Sequence, residues 1–320
     1  MSGESEFIAL MRGLATHPGA RNLNDDAAVI DIRGQGLVLT HDMLVEGVHY
    51  LPQDPPESVA WKLVAVNMSD LAANGARPLG VLLGFALAGD SAWDRAFAAG
   101  LGAALSHFET VLLGGDTVAM PLGAPRVLGL TALGLAPEGG APSRAGAQPG
   151  DDLYVSGTIG DAGAGLALLR AGEADPAALI DAYRSPMPSL ALGHALAPLV
   201  SAMADVSDGL LIDAQRIAHA SGCGVEVMLD AVPLSPAFVA ARGDDVKSRL
   251  FAATSGDDYR LIFTAKPAQA GAIAALSARH AIPLSRVGRC VEGGGLRLLH
   301  GGVAVPLPAR LGYEHAAALD

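Results

Sequence analysis

Cysteine is nearly missing from this chain: its 320 residues hold two, Cys223 and Cys290, far apart and in no C-x-x-C pair. That excludes a disulfide framework and a thiolate metal site, and suits a reducing compartment. Lysine is almost as scarce, being confined to Lys62, Lys247 and Lys266. With a formal net charge of −12, the chain has no basic stripe to neutralise a nucleic-acid backbone. Long apolar runs are lacking too. The longest, Pro78 to Gly89, is bracketed by Arg77 and Asp90 and falls well short of the ~20 residues a membrane span requires. No charged segment followed by an apolar one opens the sequence, so a cytoplasmic location is the expectation. Common catalytic signatures are absent as well. There is no G-x-x-x-x-G-K-[ST] and no G-x-G-x-x-G after a strand, which excludes P-loop and Rossmann nucleotide binding. The histidines form no H-E-x-x-H and no serine stands in G-x-S-x-G, so zinc hydrolysis and triad chemistry lose their support.

What is present is apolar residue: 51% of the chain, interspersed with glycine and proline, enough to bury more than one core. At roughly 150 residues per domain, two domains are expected. The boundary falls in "LAPEGGAPSRAGAQPGDD" (135–152), which has no apolar period. It divides an N-terminal unit, 1–137, from a C-terminal unit, 138–320. Both read as mixed α and β. "LVLTHD" (37–42) and "TVLLGGD" (110–116) read as strands that end in Asp, and "DLYVSG" (152–157) as one that ends in Gly. "PESVAWKLVAVNMSDLAANGARP" (56–78) reads as a helix from near Ser58, with Val59, Leu63, Val66 and Leu71 as its buried stripe. Asn67 and Asp70 then share one face.

Acids gather at the ends of these apolar segments: Asp26, Asp42, Asp70, Asp116, and Asp205 with Asp208 in "ADVSDGLLID" (204–213). Carboxylate oxygens are the natural ligands of Mg²⁺, which fills its other positions with water and substrate phosphates. Singly, each Asp is also a good turn or cap residue, and Asp208 is placed to cap the helix that opens at Gly209. Asp213 falls to the polar side of that helix.

Taken in order, "GESEFIAL" (3–10), "NDDAAVI" (24–30), "THDMLVEGVHY" (40–50), "VAVNMSDLAANGARP" (64–78), "LLGGDTV" (112–118), "SRAGAQPGDDLYVSGTIGDAGAGLALL" (143–169), "ADVSDGLLIDAQRIAHASGCG" (204–224) and "SGDDYRLIF" (255–263) resemble the thiamine-monophosphate kinase family. The resemblance runs nearly end to end. It implies a two-domain α/β (α+β) fold like that of aminoimidazole ribonucleotide synthetase, with mixed sheets and flanking helices in each domain. It further implies dependence on ATP and Mg²⁺, and a homodimer with nucleotide near the subunit interface. The N-terminal domain would bind ATP and Mg²⁺ and dimerise, and the C-terminal domain would complete the site.

Carried over by position, the resemblance implies metal contacts at Asp26, Thr40, His41, Asp42, Asp70, Asp116, Asp205 and Asp208. It implies nucleotide contacts at Gly115, Asp116, Arg144 and Ser207, and substrate contacts at His49, Asp257 and Tyr313. Asp42, Asp116 and Asp208 would be central to catalysis. His41 stands where the family commonly has a small hydroxyl residue, and Asp257 where it has Glu. The implied reaction is ATP-dependent phosphorylation of thiamine monophosphate to thiamine diphosphate, by direct in-line transfer on a Mg²⁺–aspartate cluster. The acceptor is a phosphate monoester, largely dianionic at neutral pH, so no general base is needed.

Other readings stay open. Selenophosphate synthetase would want a reactive residue near the N-terminus, where the first cysteine here is Cys223, and the hydrogenase-maturation relative would want a C-terminal Cys, where this chain ends "AAALD". Another ATP-dependent enzyme of the superfamily, like aminoimidazole ribonucleotide synthetase, remains an alternative. So does a non-catalytic divalent-metal-binding protein, although no EF-hand loop is present.

Overall fold

A computed structural model describes residues 3–121 and 123–315. The first half contains α1 (Gly3–Arg12), β1 (Ala28–Ile32), β2 (Gln35–Val45), α2 (Pro56–Ala73), β3 (Arg77–Leu87), α3 (Ser91–His107), β4 (Leu112–Ala119) and β5 (Val127–Leu135). Its strands form one sheet in the order β1-β2-β5-β3-β4, antiparallel except for the β3–β4 pair.

The second half continues with β6 (Asp152–Ser156), α4 (Asp161–Arg170), α5 (Ala177–Arg184), α6 (Leu190–Leu196), β7 (Ala202–Val206), α7 (Leu210–Ser221) and β8 (Gly224–Met228). It closes with α8 (Pro236–Arg242), α9 (Val246–Thr254), β9 (Arg260–Ala265), α10 (Ala270–His280), β10 (Leu284–Val291), β11 (Gly295–His300) and β12 (Val303–Val305). These strands form a second mixed sheet, ordered β12-β11-β8-β10-β6-β9-β7. No helix among the described residues is long and apolar enough to cross a membrane.

Helix α2 is the hinge of the architecture. It starts at Pro56, whose fixed φ suits a first turn. The expected stripe of Val59, Leu63, Val66 and Leu71 is too narrow a description, because Ala60, Val64, Ala65, Met68, Ala72 and Ala73 are buried as well. A helix that is apolar all round has to be covered all round. One side of α2 packs on β2, β5 and α3, and the other on α6, β7 and β9 of the second unit. The α6 crossing is close enough that a Cβ on Gly193 would sit 2.0 Å from the Ala72 carbonyl oxygen. Glycine there brings the two units into contact.

Two expectations are corrected by the ladders. The strands do not end at their acids: β2 runs through Asp42 to Val45, paired with β5 throughout, and β4 runs through Asp116 to Ala119, paired with β3. An Asp in a strand reads from sequence as a terminator because such residues are depleted in strands. Here the neighbouring ladder continues past it.

Candidate active site

The cleft between the two units has a volume of about 1640 Å³. That exceeds the ~300–1,000 Å³ of a pocket for one small ligand, so it has room for two substrates. Four segments deliver acids to its floor. Alternation along β2 turns Thr40 and Asp42 to the face covered by α2, where Asp70 lies; β7 carries Asp205 near its end, followed by Ser207 and Asp208 in the turn to α7; Asp26 arrives just before β1.

Carboxylate oxygens of Asp26, Asp70 and Asp205 lie within 4.8 Å of one another. Thr40 Oγ1 donates a short hydrogen bond to Asp70, and Ser69 Oγ donates to Asp205 Oδ2 at 2.6 Å. Asp205 Oδ1 is buried with no hydrogen-bond partner among the described residues. Burial drives the carboxyls of Asp70 and Asp205 well above the usual range, and repulsion from neighbouring aspartates adds to it. Asp26 is raised mainly by burial, against the attraction of Arg144. Such a set wants a cation. All-oxygen donors and an orphaned carboxylate oxygen fit a hard divalent ion such as Mg²⁺.

Asp42 is pushed up to about 6 from 3.8, first by burial and then by Asp26. A folded-state pKa above the unfolded one means that the folded chain keeps its proton longer. This contribution to stability is complete below about 3.8 and is lost as pH rises through about 6. Asp42→Asn is therefore expected to stabilise the metal-free protein at pH 7 by about 1–2 kcal/mol, with the gain vanishing near pH 4. Melts in EDTA at the two pH values check this; a less stable variant at pH 7 contradicts it.

Asp208 does not cap α7. The helix opens after Gly209, and the Asp208 and Gly209 amides both donate to Asp213 Oδ2 at 3.2 Å. Asp213, expected on the polar side, is wholly buried. Its carboxylate turns back on the chain, as an acid in a first helical turn can. The Asp208 carboxylate instead accepts from Arg216. Across the cleft Arg144 donates to Asp26, while its backbone N–H donates to Asp25 at 2.6 Å.

The cleft is also lined by His49, Asp257 and Tyr313. His49 Nδ1 accepts the Val45 amide at 3.0 Å, and burial followed by the nearby His315 ring lowers its pKa. Asp257 sits in the left-handed region at φ +70°, its amide donating to Ser207 O at 2.7 Å. Its carboxylate accepts from Lys62 Nζ at 3.0 Å and from Tyr259 OH at 3.1 Å. The Tyr313 amide donates to Asp208 O at 2.9 Å, which brings the C-terminal segment against the turn after β7.

Three expected site residues stand apart within this chain. His41, next to two inward residues, points to the opposite face of the sheet, where its Nδ1 meets Thr131 Oγ1 at 2.9 Å. Asp116 pairs with Gly84, Gly84 with Gly129, and Gly129 with Met43, which puts Asp116 on that same outer face. Three ladder steps separate β4 from β2, about 14 Å. Gly115 has a packing reason of its own: a Cβ there would lie 1.9 Å from the Leu83 carbonyl oxygen.

Sequence reasoning passed over Lys62, Arg216, Asp25 and Tyr259. Lys62 carried a signal, since it is one of three lysines and lies in the middle of an apolar helix. Arg216 carried a fainter one in its i, i+3 spacing from Asp213.

Two paired sheets around a carboxylate-lined cleft place the chain in a class shown by its sequence as well. Residues 24–136 match the N-terminal domain of AIR synthase related protein, and residues 148–301 match the C-terminal domain of the same class. Its relatives narrow this. Thiamine-monophosphate kinase of Caulobacter vibrioides is 43% identical over 98% of this chain and 90% of its own length. That of Salmonella typhimurium is 38% identical over 92% and 91%. The solved structure of the Stenotrophomonas maltophilia thiamine-monophosphate kinase superposes with a TM-score of 0.79 at 37% identity, over 94% of this chain and 96% of that one. A complex described as AaThiL with AMPPCP and TMP gives 0.83 at 27% identity, over 98% and 97%. The chain belongs to the thiamine-monophosphate kinase family.

Proposed function

We propose that this protein transfers the γ-phosphoryl group of ATP to thiamine monophosphate, yielding thiamine diphosphate and ADP, in the cytoplasm and as a homodimer. The observation that carries the reading is the cleft itself: an acidic, oxygen-only cluster and the His49–Asp257–Tyr313 group line one continuous space, and the Asp257 and Tyr313 amides donate to the Ser207 and Asp208 carbonyls beside that cluster. Family membership supports it, as does the complex of a family member with AMPPCP and TMP.

Mg²⁺ would be held by Asp26, Asp42, Asp70, Asp205 and Asp208, with Thr40 beside Asp70. When bound it would supply the positive charge that lets two polyanions approach. The aspartates act as templates rather than as acids or bases. Arg144 and Ser207 line the cleft and would position the phosphates of the nucleotide. His49, Asp257 and Tyr313 would hold the thiamine part. A monoester phosphate is already a nucleophile at neutral pH, since its second pKa is about 6, so the transfer calls for no general base. Transfer is then direct and in line. ADP release that depends on both thiamine monophosphate and Mg²⁺ tests the reaction, and net retention at a chiral γ-phosphorus would exclude the direct route.

The dimer is supported by the outer face of the first sheet. Ile32, Met43, Leu82 and Val118 on it are 41–54% exposed. Exposed apolar side chains gathered on one face of a sheet favour an interface there. Gly115, Asp116 and His41 lie on or beside it, so a nucleotide near the subunit interface is what would engage the first two. Leu82→Glu is expected to give a monomer in light scattering, with loss of turnover; an unchanged dimer would refute this assignment of the face.

A further inference from the structure

Arg216 is a cleft-lining cation to which the mechanism above gives no task. Its Nη1 donates to Asp208 Oδ2 at 2.5 Å and to Asp213 Oδ1 at 2.8 Å. The two carboxylates are anchored differently. Asp213 is wholly buried and bound to the amides that open α7, so it cannot move without unwinding that turn. Asp208 is 28% exposed and stands in the turn at the rim of the acidic cluster. Arg144 makes the corresponding contact with Asp26 from the other side, and the two guanidinium groups are near enough to repel each other.

Resting on the nucleotide and metal reading above, we propose that Arg216 is a phosphate-binding residue for ATP that occupies the cation position on Asp208 until metal and nucleotide arrive. A divalent cation and a guanidinium cannot share Asp208 Oδ2 without placing like charges in contact. Metal that takes Asp208 Oδ2 releases one of the two contacts of Arg216. The Asp213 contact remains, so the side chain stays in the cleft rather than swinging into solvent. Its other donors, Nε and Nη2, belong to a planar fork suited to phosphate oxygens. A triphosphate entering a chain of net charge −12 needs such donors near the metal. The exchange makes metal and ATP binding mutually favourable, because each removes the obstacle to the other.

The test uses the full chain and two probes: Mn²⁺ titrated without nucleotide, followed by the electron paramagnetic resonance signal of the free ion, and the KM for ATP at saturating thiamine monophosphate. In Arg216→Gln, Mn²⁺ alone is expected to bind about 2- to 5-fold more tightly, since a partly exposed competing ion pair is gone. The KM for ATP rises about 10- to 100-fold, the loss of a charged hydrogen bond to phosphate, while that for thiamine monophosphate is unchanged. Arg216→Lys keeps a cation beside Asp213; it returns Mn²⁺ affinity to the wild-type value and recovers part of the ATP affinity. Opposite movement of the two affinities separates this role from a structural one. If Mn²⁺ and ATP binding weaken together in both variants, or neither changes, the proposal is overturned. A wild-type protein that binds no Mn²⁺ and forms no thiamine diphosphate would instead sink the underlying reading.

Discussion

Asp205→Asn is expected to lower thiamine diphosphate formation at least about 10²-fold while the protein stays folded. Asp205 is the most committed of the acids. It is 1% exposed, one oxygen accepts from Ser69, and the other has no hydrogen-bond partner among the described residues. A buried carboxylate left half-satisfied destabilises a chain, so its retention is explained by what it would bind. Asn preserves the shape and can still accept from Ser69, but it removes the charge that a divalent ion requires. In EDTA the variant should therefore melt at or above the wild-type temperature, because repulsion among Asp26, Asp70 and Asp205 is relieved. Adding Mg²⁺ should raise the wild-type melting temperature and leave that of the variant nearly unmoved. Near-normal turnover in Asp205→Asn would remove the cluster from the mechanism.

Asp116→Asn is a sharper discriminator, because Asp116 lies on the outer face and far along the sheet from Asp42. A loss comparable to that of Asp205→Asn ties the outer face, and with it the proposed dimer, to the reaction. A variant with full activity confines the chemistry to the inner cluster.

Much of this arrangement was legible in the chain before folding. The acids stood out because each interrupts an apolar segment, and "ADVSDGLLID" marked a passage from strand to helix, where the structure has β7 and α7 with Asp205 still in the strand and Asp208 in the turn. What could not be read was which neighbour each acid would face. Asp208 and Asp213 exchanged their expected roles because a helix can be capped from its first turn as well as from the residue before it. Asp116 resembled Asp42 in its local pattern, yet ladder parity across three strands set the two on opposite faces. Lys62 was hidden by its context: inside an apolar helix a lysine reads as one more surface position until the second unit is seen to cover it.

Lys62→Met is expected to raise the KM for thiamine monophosphate about 10- to 100-fold, leave that for ATP within about 3-fold, and destabilise the protein by about 1–3 kcal/mol. The Lys62 ammonium donates to the His49 carbonyl at 3.1 Å and to Asp257 at 3.0 Å, and lies 4.0 Å from the centre of the Tyr183 ring. It thus ties a loop of the first unit to a left-handed loop of the second, the two that carry His49 and Asp257. Its own exposure is 2% against 26% for Asp257, so the loss leaves a carboxylate that water can partly reach. That keeps the destabilisation below the range for a fully buried pair. Asp257 retains the Tyr259 hydroxyl, but nothing then fixes the loop to α2. The companion Lys62→Met/Asp257→Asn protein should regain part of the stability, since the uncompensated charge is gone, without regaining affinity for thiamine monophosphate. Recovery of both together would make the ion pair a scaffold alone, and a single variant with unchanged KM would separate the Asp257 loop from substrate binding altogether.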